Sequence, residues 1–543
     1  VPTRFFDDPD QTVDQMLEAL ARTRPVRVSE AGSGVMALVR TDLDPDQVAV
    51  VSGGGSGHEP AHAGLVGEGL LAAAVCGDFF ASPSVEAVLS VVREVTGPAG
   101  CLLVVKNYTG DRLNFGLAAE RARAEGLAVE VVVVADDVAL PDNPQPRGLA
   151  GTVLVHKVAG HHARRGADLA TVTAAARRTA GDCLTLSLAL SSALLPGQSG
   201  ERRTAELGLG IHNETGARDV DPSGAEEAVG LVLEALLPVV DQRHGAGTPL
   251  VVLLNDTGTC TTQELAVLTT DVLRALGERA RLLVGPAPLM TSVDMHGFSL
   301  TVLPYDDDLA AALLEPVAPA DWPGVSPVAQ PVTFAPQHSD EPDWGAGERD
   351  EGVGTGLRAA TAALADARDH LDELDAAVGD GDAGATIARG ATAVTEALDA
   401  DRLSTGSPAL LCHELASLVE RSMGGSSGVV LSILLTAAAG ELEDGGDVVA
   451  ALRAGLERVR VHGDAEVGGR TMVDALSPAT DALPEGLDAA ARAARAGADR
   501  TAEVTSTGVG RSSYLRAEVL HGVVDPGAEA VATGLEAWAA SRG

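Results

Sequence analysis

The sequence predicts two regions of different fold class: an N-terminal α/β region made of two α/β subdomains, and a C-terminal all-α region of antiparallel helices. Three observations predict it. Short β-branched runs alternate with helical stretches over the first three hundred or so residues. A stretch rich in Pro and polar residues follows. Beyond it the β-branched runs nearly vanish, and apolar residues recur at three- and four-residue spacings.

The strands are expected first. "VAVVS" (48–52), "CLLVVKN" (101–107), "VEVVVV" (129–134), "PLVVLLN" (249–255) and "RLLVG" (281–285) are short apolar runs of strand length. Helical stretches lie between them, as in "SPSVEAVLSVVREV" (82–95), where Ser82 is the expected N-cap and Pro83 the first helical residue. Strands alternating with helices imply βαβ units and a mainly parallel sheet. "ALSSALLPGQSGERRT" (189–204) breaks the pattern, which divides the region into subdomains of about 1–188 and 189–330. Residues 331–352 have no amphipathic period and are expected to be a linker. From 353 to 543, stretches such as "LRAATAALADARDHLDELDAA" and "EGLDAAARAARAGADRTAEV" carry helical periodicity.

The formal charge of −38 argues against nucleic acid and anionic membranes as partners, because both select basic surfaces. It leaves room for an anionic ligand bound through metal ions. The five cysteines are dispersed and form no CxxC pair, the pattern of reduced thiols in a cytoplasmic protein. No basic segment followed by an apolar stretch opens the sequence, and no uninterrupted apolar run reaches membrane-spanning length.

Four motifs carry chemistry. In "LDAAVGDGDAGAT" (374–386), Asp375, Asp380 and Asp382 stand at i, i+5 and i+7, with Gly379 and Gly381 between them. Three adjacent carboxylates repel one another unless a cation compensates them. Oxygen ligands without Cys or His suit Mg²⁺ or Ca²⁺. "MGGSSGVVLSILL" (423–435) puts Ser426 and Ser427 at the start of an apolar helix, where hydroxyls and free N–H groups suit phosphate. Together the two motifs imply a Mg-nucleotide site, although no Walker A or GxGxxG sequence is present. In "VVSGGGSGHEPAHAG" (50–64), a Gly-rich βα turn is expected to bring backbone close to a small ligand, with His58 at its end. "VVKNYTGDRLNFG" (104–116) offers Lys106 and Asp111 at the carboxyl end of a strand, where open α/β sheets bind ligands. Lys106 and Lys157 are the only lysines in the chain. "ELGLGIHNETG" (206–216) places His212 between flexible Gly-containing segments, which by itself marks only a turn.

These residues together resemble the ATP-dependent dihydroxyacetone kinases. The resemblance runs through "GGGSGHEPAHAG", "VCGDFFASPS", "VKNYTGDRLNFGLAAERA", "GLAGTVLVHKVAG" and "ELGLGIH", then "VGDGDAG", "MGGSSG", "GGRTMVDAL", "GRSSYL" and "DPGA". It implies that His212 holds a small ketose covalently as a hemiaminal. It implies substrate contacts from Gly55, Ser56, Gly57, His58 and Lys106, with Asp111 and His58 positioning and deprotonating the hydroxyl that attacks ATP. It implies Mg²⁺ on Asp375, Asp380 and Asp382, and nucleotide contacts from Ala383, Gly384, Ala385, Thr386, Ser426, Ser427, Gly463, Thr471, Met472, Asp525, Pro526 and Gly527. A barrel of eight antiparallel helices and a homodimer are implied as well. Two departures stand out: "NET" follows His212 where the family has Gly-Glu-Pro, and "HGDAEVGGRTM" lacks a lysine near the nucleotide. They leave open a four-carbon ketose such as erythrulose, and a lyase that cyclises FAD with Mn²⁺ would use the nucleotide region alone. A silent regulator is disfavoured by the joint presence of His58, Asp111 and His212. A phosphoprotein-dependent version is disfavoured by the absence of a phosphocarrier domain.

Overall fold

The computed structural model describes residues 5–31, 35–195, 204–334, 344–505 and 515–542. The chain divides into two compact units, Val1–Val332 and Thr333–Gly543. Most of "GRSSYL", the tip of the 189–204 break and part of the expected linker lie outside the described residues.

The first unit is built on two sheets. In the first, β1 (Val26–Glu30), β2 (Met36–Arg40), β3 (Ala49–Ser56), β4 (Ala73–Phe79), β5 (Cys101–Lys106) and β6 (Val129–Val134) lie in the order β1-β2-β4-β3-β5-β6. β4, β3, β5 and β6 run parallel, and β1 and β2 add an antiparallel edge. The second contains β7 (Leu184–Ser191), β8 (Glu206–Leu207), β9 (Arg218–Asp219), β10 (Leu250–Asp256), β11 (Ala280–Pro288), β12 (His296–Pro304) and β13 (Val325–Pro327), ordered β13-β11-β10-β12-β7-β8-β9. Only its β10–β11 pair is parallel among the described residues. The expectation of a mainly parallel arrangement therefore holds for the first sheet and fails for the second. β7 and β12, which read as alternating Leu with Ser or Thr, pair antiparallel at its centre. The expected seam at 188/189 falls inside β7, and the change of sheet comes between β6 and β7.

Local signals explain the helices. Val85–Val95 is capped by Ser84, whose side chain accepts from the Ala87 N–H, so the cap lies two residues beyond the expected Ser82. Thr261 and Glu264 form a full capping box at the start of Thr262–Leu276. Lys157, on helix Gly151–Arg164, is wholly buried and donates to the Ala312 carbonyl in the last turn of Asp307–Leu314. A cation at a helix C-terminus complements its dipole, which gives this lysine a structural task. The free thiols Cys76, Cys101 and Cys183 are buried, while Cys260 and Cys412 are partly exposed.

The second unit is all helical among its described residues. Glu351–Asp366 runs through Ala367 into Arg368–Val378. It is followed by Ala383–Asp399, Pro408–Ser422, Gly425–Glu443, Val448–Gly463, Val473–Ala482, Leu487–Thr501 and Pro526–Ala540, with a short turn at Ala517–Leu520. Each long helix packs on the next, and Pro526–Ala540 packs back on Glu351–Asp366, closing a ring of eight staves. Small residues permit the close approach: Gly497 lies against the Asp474 carbonyl and Gly455 against that of Leu434. Gly425–Glu443 is long and apolar enough to cross a membrane by length and composition, although hydroxyls interrupt its apolar run.

Candidate active site

In the first unit the functional side chains gather where the ends of the two sheets meet. The glycine run is not a turn after a strand. Gly53, Gly54, Gly55 and Ser56 are the last residues of β3, and all are buried. A side chain at Gly53 would overlap the Val75 carbonyl of β4, and one at Gly55 would stand 2.5 Å from the Ala81 nitrogen. Gly54, with φ +152°, faces the ligand groups: a Cβ there would lie 3.4 Å from Asp111 Oδ2 and 3.5 Å from Lys106 Nζ. Bare backbone thus leaves space beside an ammonium and a carboxylate. Ser56 donates to the Gly77 carbonyl at 2.7 Å, so its hydroxyl is committed to the sheet. The Gly57 N–H is held by the Glu59 carboxylate.

Lys106 ends β5, and Asp111 sits in the first turn of helix Thr109–Ala124. Both are buried; Lys106 Nζ and Asp111 Oδ1 have no hydrogen-bond partner in the protein. Buried polar atoms are almost always satisfied, so this pair is shaped for something the protein does not itself supply. Burial pulls the Lys106 ammonium below its ordinary range, while the Asp111 carboxylate pulls it back.

His58 and His212 meet from the two sheets. His58 Nδ1 lies 2.8 Å from the Thr291 carbonyl, which accepts its proton, leaving Nε2 as a lone pair in the neutral ring. Burial, with Lys106 nearby, holds His58 well below the usual imidazole range, so neutral is its resting state. His58 Nε2 lies 3.0 Å from His212 Nε2. His212 Nδ1 faces Glu214 Oε1 at 3.2 Å, and the other Glu214 oxygen accepts the His212 N–H at 3.0 Å. Glu214 stays ionised, held down to about 2: burial opposes this but is outweighed chiefly by the hydrogen bonds it accepts from the His212 ring and backbone. The rings of Tyr108, Phe80 and His58 surround His212, with centroids 4.4, 5.0 and 4.7 Å away.

The "NET" departure keeps this geometry. Asn213 takes φ +64°, which Asn tolerates better than most residues. Its side chain bonds the Ala193 N–H and carbonyl at 3.0 Å each. Glu214 occupies the place of the glutamate in the Gly-Glu-Pro pattern.

In the second unit a separate pocket of about 390 Å³ opens among the helix ends. Asp375 comes from the last turn of Arg368–Val378, and Asp382 occupies the residue before Ala383–Asp399 without a side-chain capping bond. With Asp380 they present ligand oxygens within 4.8 Å of one another. Asp375 Oδ2 also accepts the Asp382 and Ala383 N–H groups, which fixes the loop. The pocket wall includes Ala383, Thr386, Ser426, Ser427, Gly463, Thr471, Met472, Asp525, Pro526 and Gly527. Gly384 and Ala385 do not line it. Gly384 packs on the Arg368 carbonyl, and the Ala385 N–H bonds Asp372. The wall also holds two arginines that the sequence did not single out. Arg389 is bonded to Thr386 Oγ1 at 2.9 Å, and Arg470 is bonded to the carbonyls of Thr501, Val504, Leu520 and Val523. A carboxylate trio facing hydroxyls at a helix start fits a divalent cation with a polyphosphate.

Comparison with known proteins agrees with both halves. A Dak1 domain matches residues 18–321 and a DAK2 domain residues 377–540. The dihydroxyacetone kinase of Citrobacter freundii is 44% identical over 99% of each chain. The human triokinase/FMN cyclase is 38% identical over 93% of each. The crystal structure of the C. freundii kinase in complex with AMP-PNP and Mg²⁺ covers 100% of both chains, with a TM-score of 0.72 and 41% identity. The chain therefore belongs to the dihydroxyacetone kinase family, with a Dak1 and a DAK2 domain in one polypeptide.

Proposed function

We propose that this protein transfers the terminal phosphoryl group of ATP to a hydroxyl of dihydroxyacetone or a related small ketose, held as a hemiaminal on His212. One observation carries the reading: the His212 Nε2 that would add to a carbonyl stands 3.0 Å from His58 Nε2, in a site that also contains unpartnered Lys106 and Asp111. With Nδ1–H turned to Glu214, the ring presents its Nε2 lone pair. Addition forms the N–C bond and moves the carbonyl π pair onto oxygen. Balance is restored when that oxygen gains a proton and Nδ1 gives one up. Asp111 and His58 together position the reacting hydroxyl and take up its single proton, and Lys106 binds a substrate oxygen. Asp375, Asp380 and Asp382 would hold Mg²⁺, with Ser426 and Ser427 at the phosphates. The metal nucleotide supplies the phosphoryl group and the charge neutralisation its transfer needs. A homodimer in the cytoplasm is part of the same proposal. A FAD-cyclising lyase is the second reading, supported by the human relative's triokinase/FMN cyclase name.

The test is a ketose carrying ¹³C at its carbonyl. Bound to the protein, its resonance should move far upfield to a tetrahedral position, and His212→Ala should abolish that signal and ketose phosphorylation while Mg-nucleotide binding persists. A bound ketose that keeps its carbonyl resonance removes the covalent role. Assays with dihydroxyacetone, erythrulose and, with Mn²⁺, FAD separate the remaining readings.

A further inference from the structure

We propose that Arg147, paired with Asp137, is a positioning residue that fixes the proton on His212 Nδ1 by acting through Glu214. The inference rests on the reading of His212 as the nucleophile. It comes from side chains that are distant in sequence and converge behind the His212 turn.

Arg147 and Asp137 are buried and form an ion pair, Nε to Oδ2 at 2.5 Å. Arg147 Nη2 donates to the Gly208 carbonyl at 2.8 Å, which fastens the guanidinium to the chain entering the His212 turn. Its remaining nitrogen, Nη1, is buried with no hydrogen-bond partner. That nitrogen points into the space left by the missing side chain of Gly210. A Cβ there would stand 2.5 Å from Arg147 Nη1 and would overlap Glu214 Oε2. The unpaired guanidinium nitrogen and the Glu214 carboxylate therefore face one another across the glycine.

The resulting line runs Asp137, Arg147, Glu214, His212, His58 and the Thr291 carbonyl. Charges alternate along its first three members. The far end fixes the His58 proton on Nδ1, turning the Nε2 lone pair towards His212. Two neutral rings hold two protons for three contacts, so one contact lacks a proton. If the His212 proton sat on Nε2, it would satisfy His58 but block addition to a carbonyl. An ionised Glu214, itself facing a guanidinium that cannot deprotonate, draws that proton to Nδ1 and frees Nε2. Gly210 is needed because any side chain would separate Arg147 from Glu214.

The experiment uses the full-length protein with ¹⁵N-labelled histidine. Long-range ¹H–¹⁵N spectra of the ligand-free protein read the tautomer of His212, identified by its loss in His212→Ala. The unmodified protein should show the proton on Nδ1. Arg147→Lys should move the population at least threefold towards Nε2, and the tetrahedral ¹³C signal of bound ketose should fall by about tenfold. Glu214→Gln keeps the size of the side chain without its charge and should shift the tautomer the same way; it serves if the Arg147 variant fails to fold. An unchanged tautomer in folded Arg147→Lys, or in Glu214→Gln, overturns the inference. A trigonal ketose carbon in the unmodified protein, with the Nδ1 tautomer present and lost in the variants, removes covalent capture and leaves the positioning role standing.

Discussion

Asp525 shows at the residue scale how the proposed nucleotide pocket stores a cost. It caps Pro526–Ala540 through the Ala528 N–H and lies almost wholly out of water. Burial pushes its carboxyl up to about 7, aided by Asp474 and opposed by the capping N–H groups and Arg470. The native state therefore binds a proton that the unfolded chain releases near pH 4. Its stabilising contribution is complete below about pH 4 and is lost as pH rises through about 7. The loss is about 4 kcal/mol at most. Asp525→Asn keeps the cap and removes the titration. In nucleotide-free protein, the variant's urea midpoint should exceed that of the unmodified protein at pH 8, and the two should converge near pH 4. Equal midpoints at pH 8 would show that Asp525 is solvated. At this scale the candidate site residues were legible because Lys, His and Asp in Gly-rich segments declare themselves. Arg147, Asp137 and Thr291 were not, since a buried ion pair or a carbonyl partner far away in sequence leaves no local pattern.

Elements close on one another through single small residues, and the helical ring includes several such contacts, one of them at its closure. Gly356, on Glu351–Asp366, lies under the Trp538 indole of Pro526–Ala540, and a Cβ at Gly356 would overlap that ring. This is where the last stave meets the first. Gly356→Val should push Trp538 outward and destabilise the helical unit by about 1–3 kcal/mol, the usual cost of overpacking. Trp538 emission should shift to longer wavelength, with less effect on the Val1–Val332 unit. A blue-shifted, fully stable variant would mean that the seam has slack. Helices were readable here because apolar period and capping signals are local. The sheets were only half readable. β10 and β11 are near-continuous apolar runs, whereas the central β7 carries Thr185 and Ser187, whose hydroxyls bond Thr301 and the Leu209 carbonyl inside the core. Polar side chains satisfied only by tertiary partners hide a strand from a search for hydrophobic runs. The glycine run was misread for a related reason: glycine signals a turn locally, but here β4 and Phe80 crowd β3 and exclude side chains.

At the scale of the whole molecule, each unit contains a complete set of groups for half of the proposed reaction. His58, Lys106, Asp111 and His212 belong to Val1–Val332, and the carboxylate trio and the Ser426–Ser427 helix start belong to Thr333–Gly543. No hydrophobic cluster among the described residues draws members from both units. Independent cores imply independent folding. Fragments of about 1–332 and 333–543 should therefore each unfold cooperatively. The first should bind ketose and give the tetrahedral ¹³C signal without nucleotide. The second should bind Mg-nucleotide, and Asp380→Ala should remove its metal dependence. Only the mixture should make phosphorylated ketose. Cutting the chain removes the covalent link that keeps the two units at high effective concentration, so activity should rise with fragment concentration rather than match the intact protein at micromolar levels. Kinase activity in either fragment alone would place both sites in one unit. An inactive mixture at high concentration, with both fragments binding their ligands, would show that the covalent link also sets the orientation in which the phosphoryl group reaches the ketose.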